Sequence, residues 1–253
     1  MDHTDHLASL LEQGGQLAAM PPGALDAPVP TVPGWTLEHV VRHTGKVHRW
    51  VTAMLADGPH ADPAEVSTRV ESLPHGPDCL EAYAHTLTAV HEALRAMDPQ
   101  FPAASFIGPV AAGFWHRRQA HEVTVHRIDA ADALHAAGGP APTPVPPTLA
   151  ADGVDEWARV FVATRWSQRF GDFPAELDGR SVALRCTDTG SALELAFDHG
   201  RARVVTGSTT TDVELRAAAE PLLLTLWRRR PVETIEVSGD RALAELLLSL
   251  ATF

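Results

Sequence analysis

The sequence predicts an α+β protein in which an N-terminal four-helix bundle is followed by a smaller α+β domain. Apolar residues recur at helical spacing up to about residue 137. After about residue 180, short alternating apolar and polar runs are separated by turn residues, as is typical of strands. Between these regions, residues 138–147 contain five prolines and two glycines, which cannot continue a helix. We therefore expect a bundle over residues 1–138, a semi-rigid linker over 139–147 and the α+β domain over 148–253.

The N-terminal region contains four segments with apolar residues on one helical face, separated by loops rich in proline and glycine. Thr36 is expected to cap the second of these helices. Four helices of three or more turns, joined by loops, predict a four-helix bundle. The helices are expected at about Thr4 to Met20, Thr36 to Asp57, Asp78 to Met97 and Pro109 to Ala137.

The C-terminal region begins with a long helical segment and continues with four short alternating runs. Turn residues separate these runs, so we expect the strands to pair as an antiparallel meander. A helix, a strand and a final helix follow. The predicted elements are a helix at 148–170, strands at 182–186, 193–197, 202–205 and 213–216, a helix at 220–229, a strand at 232–237 and a helix at 240–250.

The bulk composition narrows the function classes. The chain of 253 residues has a formal net charge of −12, which disfavours nucleic acid and anionic membranes as partners. No apolar run approaches the roughly 20 residues of a membrane helix, and the first residues do not resemble a signal peptide. We expect a soluble, cytoplasmic protein, and the sequence does not fix its oligomeric state.

Cys79 and Cys186 are far apart and match no metal spacing, so they are interpreted as reduced, inert thiols.

The strongest indication of chemistry is the pair Glu122 and His126, because residues four apart lie on the same face of a helix. Metal sites in bundles are built from facing helices, and His43 near the middle of the second helix is the best third ligand. His39 lies one turn nearer the helix end. Two imidazoles and one carboxylate suit Zn²⁺, with Ni²⁺ or Co²⁺ as alternatives, and leave positions open for substrate. The alternative is an ordinary surface contact between Glu122 and His126.

His121 is adjacent to Glu122 in the sequence, but its side chain points about 100° away on a helix of 3.6 residues per turn. It is therefore interpreted as a surface residue or as a support for the ligands, and not as a ligand. Three arginines near the pair are expected to face solvent: Arg117, Arg118 and Arg127.

Two stretches of the sequence resemble motifs of the mycothiol-dependent maleylpyruvate isomerase family, a branch of the DinB-like metalloenzymes. Residues 120–130, AHEVTVHRIDA, resemble the family's metal motif. Residues 34–43, GWTLEHVVRH, resemble its first motif, in which a tryptophan precedes a helix that carries the first ligand histidine. The resemblance implies a DinB-like bundle and the ligand set His43, Glu122 and His126, which the helical spacing also favours.

The second domain resembles the family's C-terminal domain, which is α+β and similar in kind to sterol-carrier folds. Residues 224–231, LTLWRRRP, and 237–240, VSGD, resemble a family pattern of an apolar helix, Gly-Arg and a later Gly-Asp. The sequence departs from that pattern at Arg228, where the family often has glycine. The resemblance implies that Arg229 matches an arginine that points back to the active site, where it would bind an anionic substrate.

The resemblance implies mycothiol, a small-molecule thiol, as co-substrate together with an electrophilic small molecule. A metal deprotonates a coordinating thiol, whose ordinary pKa is about 8.5, and the thiolate then attacks an electrophilic carbon. Addition to a cis double bond, rotation and elimination would make an isomerase, whereas release of the thioconjugate would make an S-transferase.

Asp129 is expected to accept a proton from the second nitrogen of His126, the alternative being a charge on the helix surface.

The candidate ligands and the family resemblance together lead to three functional hypotheses. The first is a metal-dependent, mycothiol-using S-transferase or isomerase. A narrower form of it is a maleylpyruvate cis–trans isomerase of aromatic catabolism. The third, from another class, is a ligand-binding or regulatory module in which the metal is structural or absent.

Overall fold

The computed structural model describes residues 1–205 and 211–250. The chain divides into two compact units, Met1–Thr143 and Pro144–Phe253. Residues 139–146, within the predicted linker, contain neither helix nor strand. None of the helices in the described ranges combines the length and the apolar character needed to cross a bilayer.

The N-terminal unit is built on four long helices. They and one short helix are α1 (His3–Ala18), α2 (Leu37–Asp57), α3 (Pro63–Arg69), α4 (Asp78–Ala96) and α5 (Gly113–Ala136). Both α1 and α2 pack against α4 and α5, so that the four long helices enclose one apolar core. The predicted four-helix bundle is confirmed, and the first three long helices lie close to their predicted bounds.

Helix α2 begins where the sequence predicts, because Thr36 caps it. The Thr36 hydroxyl accepts a hydrogen bond from the backbone N–H of His39 at 3.4 Å. In return, the backbone N–H of Thr36 donates to Nδ1 of His39 at 3.2 Å. This reciprocal pair is a capping box, which fixes the start of the helix and engages the His39 ring in it.

Helix α5 begins later than predicted, since residues 109–112 are not helical. An antiparallel hairpin precedes the helix, formed by β1 (Pro102–Ser105) and β2 (Gly108–Ala111). Gly108 has a φ of 106°, a conformation that favours glycine, and opens the second strand of this tight hairpin. Strands of four residues are too short for alternation to reveal them, so the sequence did not predict the hairpin.

The C-terminal unit begins with an unbroken helical segment. It comprises α6 (Pro147–Glu156), a π-helical stretch (Trp157–Arg165) and α7 (Trp166–Phe170). The single helix predicted at 148–170 is therefore present, but its middle has the wider π-helical turn, which periodicity does not distinguish from α.

A five-stranded sheet in the order β5-β4-β3-β6-β7 follows. Its strands are β3 (Ser181–Cys186), β4 (Ala192–Asp198), β5 (Arg201–Val205), β6 (Val213–Ala217) and β7 (Glu236–Gly239). The predicted meander is confirmed for the first three strands, which pair antiparallel. It is wrong for β6, which pairs in parallel with β3. Consecutive burial of Val182, Ala183 and Leu184 fits this central position of β3.

Two helices accompany the last strand, α8 (Ala219–Leu226) and α9 (Arg241–Leu250). The helix predicted at 220–229 ends earlier, because Arg228 has a φ of 61° and leaves the helical conformation. The strand predicted at 232–237 is wrong in its first half, where Val232–Thr234 form a 3-10 turn. With a helical N-terminal unit and a C-terminal unit built on a sheet, the predicted α+β fold class is confirmed.

Candidate metal centre

Three side chains converge between α2 and α5. Oε1 of Glu122 lies 3.3 Å from Nε2 of His43 and 3.3 Å from Nε2 of His126. The three atoms that could bind a metal all lie within 4.8 Å of one another. The fold thus brings together the three residues that the sequence singles out, because the second helical turn of α2 faces the middle of α5.

The donor set fits a divalent transition metal. Two imidazole nitrogens and a carboxylate oxygen are typical ligands of Zn²⁺ in catalytic sites, where about 2.0–2.2 Å separates ligand and ion. Atoms that already lie within 4.8 Å of one another need only small side-chain rotations to meet one ion. The side chains of His43, Glu122 and His126 are 39%, 20% and 11% exposed, so one side of the cluster remains accessible to a further ligand.

Asp129 contacts His126 on the side away from Glu122. Its Oδ2 lies 3.0 Å from Nδ1 of His126, and the Asp129 side chain is wholly buried. Because a carboxylate only accepts hydrogen bonds, Nδ1 is the donor and Nε2 is the atom directed at Glu122. A carboxylate behind a ligand histidine is a common arrangement at metal sites. The alternative that Asp129 is a surface charge is excluded by its burial.

Burial and charge oppose each other at the two α5 residues. Burial lowers the pKa of His126, but the carboxylates of Glu122 and Asp129 outweigh it and raise that pKa to about 9. Burial likewise raises the pKa of Glu122, yet His126, His43 and Arg118 hold it well below its ordinary value. Without a metal, the cluster therefore holds an imidazolium next to a carboxylate at neutral pH.

Arg118 binds the other oxygen of Glu122. Its Nη2 lies 3.0 Å from Oε2, and its side chain is only 4% exposed. The expectation that Arg118 faces solvent is therefore wrong. The arginine leaves Oε1 of Glu122 directed at the two histidines. The sequence feature that could have indicated this ion pair is the spacing, because Arg118 precedes Glu122 by four residues on α5.

Arg127 is also buried, contrary to expectation. Its Nε and Nη2 donate to Oε1 of Gln13 at 2.9 and 2.6 Å, and its Nη1 donates to the backbone carbonyl of Thr143. It therefore connects α1, α5 and the segment after α5, and has a structural function.

Trp35, the tryptophan of the first motif, and His121 both lie near the three candidate ligands, but in different surroundings. Trp35 forms part of the site wall, with its ring centroid 5.0 Å from that of His43 and stacked 6.0 Å from that of His126. His121 is buried, and its ring lies edge-on 6.0 Å from that of His6. The surface alternative for His121 is therefore wrong, and its support of the ligands stays a prediction.

Two family models match the chain. The mycothiol maleylpyruvate isomerase N-terminal domain matches residues 9–131, and the MDMPI C-terminal domain matches residues 148–246. The chain belongs to the mycothiol-dependent maleylpyruvate isomerase family. Membership of this family agrees with the resemblance of residues 34–43 and 120–130 to its motifs.

Solved structures share the fold of this family member. A crystal structure of the mycothiol-dependent maleylpyruvate isomerase is 13% identical, with a TM-score of 0.59, and the match covers 94% of this chain and 93% of that chain. A mutant of that isomerase is 12% identical with a TM-score of 0.62 and the same coverage. At these identities the similarity shows the fold alone. Curated protein sequences give no match.

The predicted anion-binding residue of this family member, Arg229, follows α8 in the C-terminal unit. Its Nη1 donates to the backbone carbonyl of Trp227 at 2.8 Å. The preceding Arg228 occupies the left-handed region, with a φ of 61°, at the position where the family often has glycine. The substrate-binding role of Arg229 stays a prediction.

Proposed function

We propose that the chain is a metal-dependent enzyme that uses the thiolate of mycothiol to attack an electrophilic carbon of a small molecule. Isomerisation of an activated cis double bond, as in maleylpyruvate, is the outcome that family membership favours, and S-transfer is the alternative outcome. The observation that carries the proposal is the convergence of His43, Glu122 and His126 within 4.8 Å.

The chain's own residues have separate roles in this proposal. His43, Glu122 and His126 would hold a divalent ion. These ligands favour Zn²⁺, and Ni²⁺ and Co²⁺ are the alternatives. Such an ion, when bound, lowers the pKa of a coordinating thiol, so that the nucleophilic thiolate exists at neutral pH. Asp129 keeps Nε2 of His126 directed at the site, and Arg118 keeps Oε1 of Glu122 there.

The nucleophile is expected to come from a second molecule, because the protein's own thiols are unsuitable. Cys79 and Cys186 are both buried. Burial raises the pKa of each thiol to about 11. Since the thiolate and not the thiol is the nucleophile, neither cysteine is activated at neutral pH.

Metal analysis of the purified protein tests the ligand set. We expect about one divalent ion per chain, and its loss together with activity in the variants His43→Ala and His126→Ala. The control is His85→Ala, an exposed histidine of α4, which should retain both. Full metal content in His43→Ala would show that the ligand set is wrong. A protein that takes up no metal would favour a non-catalytic binding module.

Product analysis distinguishes the two reactions. The enzyme is incubated with mycothiol and maleylpyruvate, and the products are followed by mass spectrometry and ultraviolet absorption. An isomerase returns the trans product and unchanged thiol, whereas a transferase accumulates a thioether with the combined mass of thiol and electrophile.

The role of Arg229 is a separate part of the proposal. If its guanidinium binds a carboxylate of the substrate, Arg229→Met should raise KM for an anionic electrophile by roughly tenfold, with metal content unchanged. An unchanged KM would show that Arg229 does not bind the substrate.

A further inference from the structure

Lys46 is the only lysine of the chain. Apart from histidines, all other basic side chains are arginines. It lies on α2, three residues after His43 and therefore on the same helical face. At 1.5 Å per residue, Lys46 is about 4.5 Å further along the helix axis than His43. Lys46 thus lies within one helical turn of the candidate ligand His43.

A pocket of about 210 Å³ opens at this place. Its volume is below the range of about 300–1,000 Å³ that is usual for drug-sized ligands, so it suits a molecule of a few carbon atoms. Trp35 and His43 belong both to this pocket and to the metal centre, so a ligand in the pocket lies next to the centre. The lining residues are Trp35, His39, Arg42, His43, Lys46 and Ser72.

Two of the other polar side chains of the pocket, Arg42 and His39, already have structural partners. Arg42 donates from Nε to the backbone carbonyl of Leu73 at 3.0 Å. One turn beyond Lys46, Arg49 donates to the carbonyls of Glu71 and Ser72, so the two arginines fasten the 71–73 segment that forms one wall. The His39 ring is engaged in the capping box of α2.

Lys46 differs from these residues. Its side chain is half-buried, and it forms no hydrogen bond or ion pair with any residue in the ranges that the structure describes. The nearest acidic residue on the same helix face, Glu38, is engaged by His75 at 2.7 Å and by Arg42 at 3.9 Å. Among the residues that the structure describes, the pocket lining contains two permanently cationic side chains, Arg42 and Lys46, and no carboxylate.

We propose that Lys46 binds a carboxylate of the electrophilic substrate in this pocket and so makes the enzyme selective for anionic electrophiles. The inference rests on the proposed function for the identity of the ligand, but the anion site itself can be measured separately. A carboxylate at Lys46 holds the attached carbon skeleton beside His43, where the thiol reaction is proposed to occur. Lys46 is a specificity-determining residue in this scheme, and charge-assisted hydrogen bonding supplies the selectivity.

The single lysine permits a direct binding test. Reductive ¹³C-methylation of the full-length protein keeps the charge of Lys46 and gives one ε-dimethylamine NMR signal, distinct from that of the N-terminal amine. Titration with maleate at constant ionic strength, in the presence of a chelator, should shift that signal saturably. The uncharged dimethyl maleate should not. A signal that maleate leaves unmoved, or that both compounds move equally, would overturn the anion site.

Kinetics with paired electrophiles test the selectivity. In Lys46→Met, KM for maleate in the thiol addition should rise by roughly tenfold or more, with kcat and metal content little changed. Lys46→Arg should restore most of the loss, and dimethyl maleate should react equally in all variants. The control Arg95→Met removes the same charge from the exposed face of α4 and should behave as the unmodified protein. Equal losses for both electrophiles would refute a carboxylate at Lys46.

The two experiments separate the two proposals. If maleate shifts the lysine signal but no electrophile is conjugated or isomerised, the proposed function fails and the anion site stands. If thiol addition proceeds without preference for the anionic electrophile and the lysine signal does not move, the anion site fails and the proposed function stands.

Discussion

The two oxygens of Glu122 have different partners, and this division organises the candidate site. Oε1 lies 3.3 Å from both imidazoles, whereas Oε2 is bound by the buried guanidinium of Arg118 at 3.0 Å. The contact with Arg118 limits the rotation of the carboxylate, and the charge of Arg118 is one cause of the low pKa of Glu122, so this side chain is both oriented and ionised.

Removal of this arginine should weaken metal binding. In Arg118→Met, Glu122 loses its orientation and one cause of its low pKa, and we expect the Zn²⁺ affinity to fall by about 10- to 100-fold, as for other residues behind metal ligands. The measurement is competition with a chromophoric chelator. Arg118→Lys keeps the charge without the planar fork and should lie between the two. An affinity equal to that of the unmodified protein would show that Arg118 only stabilises the fold.

Metal binding should depend on pH through His126. The pKa of His126 is raised to about 9 in the metal-free protein, so below pH 9 its Nε2 carries a proton that a metal must displace. The apparent Zn²⁺ affinity should therefore rise with pH, by up to about tenfold per unit, until about pH 9. Calorimetry in buffers of different ionisation enthalpy should detect the released proton.

Asp129→Asn provides the matched test of this pH dependence. The amide removes one of the two carboxylates that raise the pKa of His126, so the proton should be released at lower pH and the affinity should level off earlier. An affinity that is flat between about pH 6.5 and 8.5 in the unmodified protein would contradict the raised pKa.

The sequence correctly predicted which residues converge at the site, but it did not predict that their arginine neighbours are buried. Spacing of four brings Glu122 and His126 to one face, the facing second helix offered His43, and the motif resemblance implied the same three residues. Arg118 and Arg127 were expected in solvent because charged residues usually are. Helix α5 instead packs on both α1 and α2 and is buried over most of its circumference, which the sequence of one helix does not reveal.

At the scale of elements, the end of α8 shows how a departure from the family pattern is accommodated. The N–H of Arg229 bonds the carbonyl of Leu224 at 2.7 Å, and the N–H of Arg228 bonds that of Thr225 at 2.9 Å. These two bonds form a Schellman motif, which requires a left-handed residue at the position of Arg228. Glycine adopts that conformation without the steric cost that a side chain brings.

Arg228→Gly should therefore stabilise the protein. A non-glycine residue in the left-handed region costs about 1–2 kcal/mol, and the greater freedom of glycine in the unfolded chain offsets part of the gain, so we expect about 1 kcal/mol or less. Urea denaturation gives the free energy of unfolding. Arg230→Gly, whose φ is not positive, should reduce stability instead. A loss of stability in Arg228→Gly would mean that the arginine side chain makes contacts that outweigh the strain.

Long helices were predicted well, and short or non-local elements were not. Helical periodicity over many residues fixed α2 and α4 closely, with the Thr36 cap defining one end. The β1–β2 hairpin was missed because four-residue strands carry little pattern. The parallel pairing of β6 with β3 is a choice between partners far apart in sequence, and alternation within each strand carries no information on it.

At the scale of the whole molecule, the candidate ligands all belong to the bundle. The chain divides into Met1–Thr143 and Pro144–Phe253, and His43, Glu122 and His126 lie in the first unit. A metal would therefore cross-link two helices of one unit and contribute to the stability of that unit. Binding to the folded form alone stabilises it by about 2.7 kcal/mol at a hundredfold excess over Kd.

Hydrogen exchange should show this stabilisation region by region. With saturating Zn²⁺, peptides covering 40–47 of α2 and 119–130 of α5 should exchange more slowly than in the presence of a chelator, because opening of the bundle releases the ion. Peptides covering 181–198 of the sheet should be less affected. In His126→Ala the difference at α2 and α5 should disappear, since one ligand is lost. Zn²⁺ that protected the sheet as strongly as the helices, or that protected His126→Ala equally, would locate the ion away from the predicted ligands.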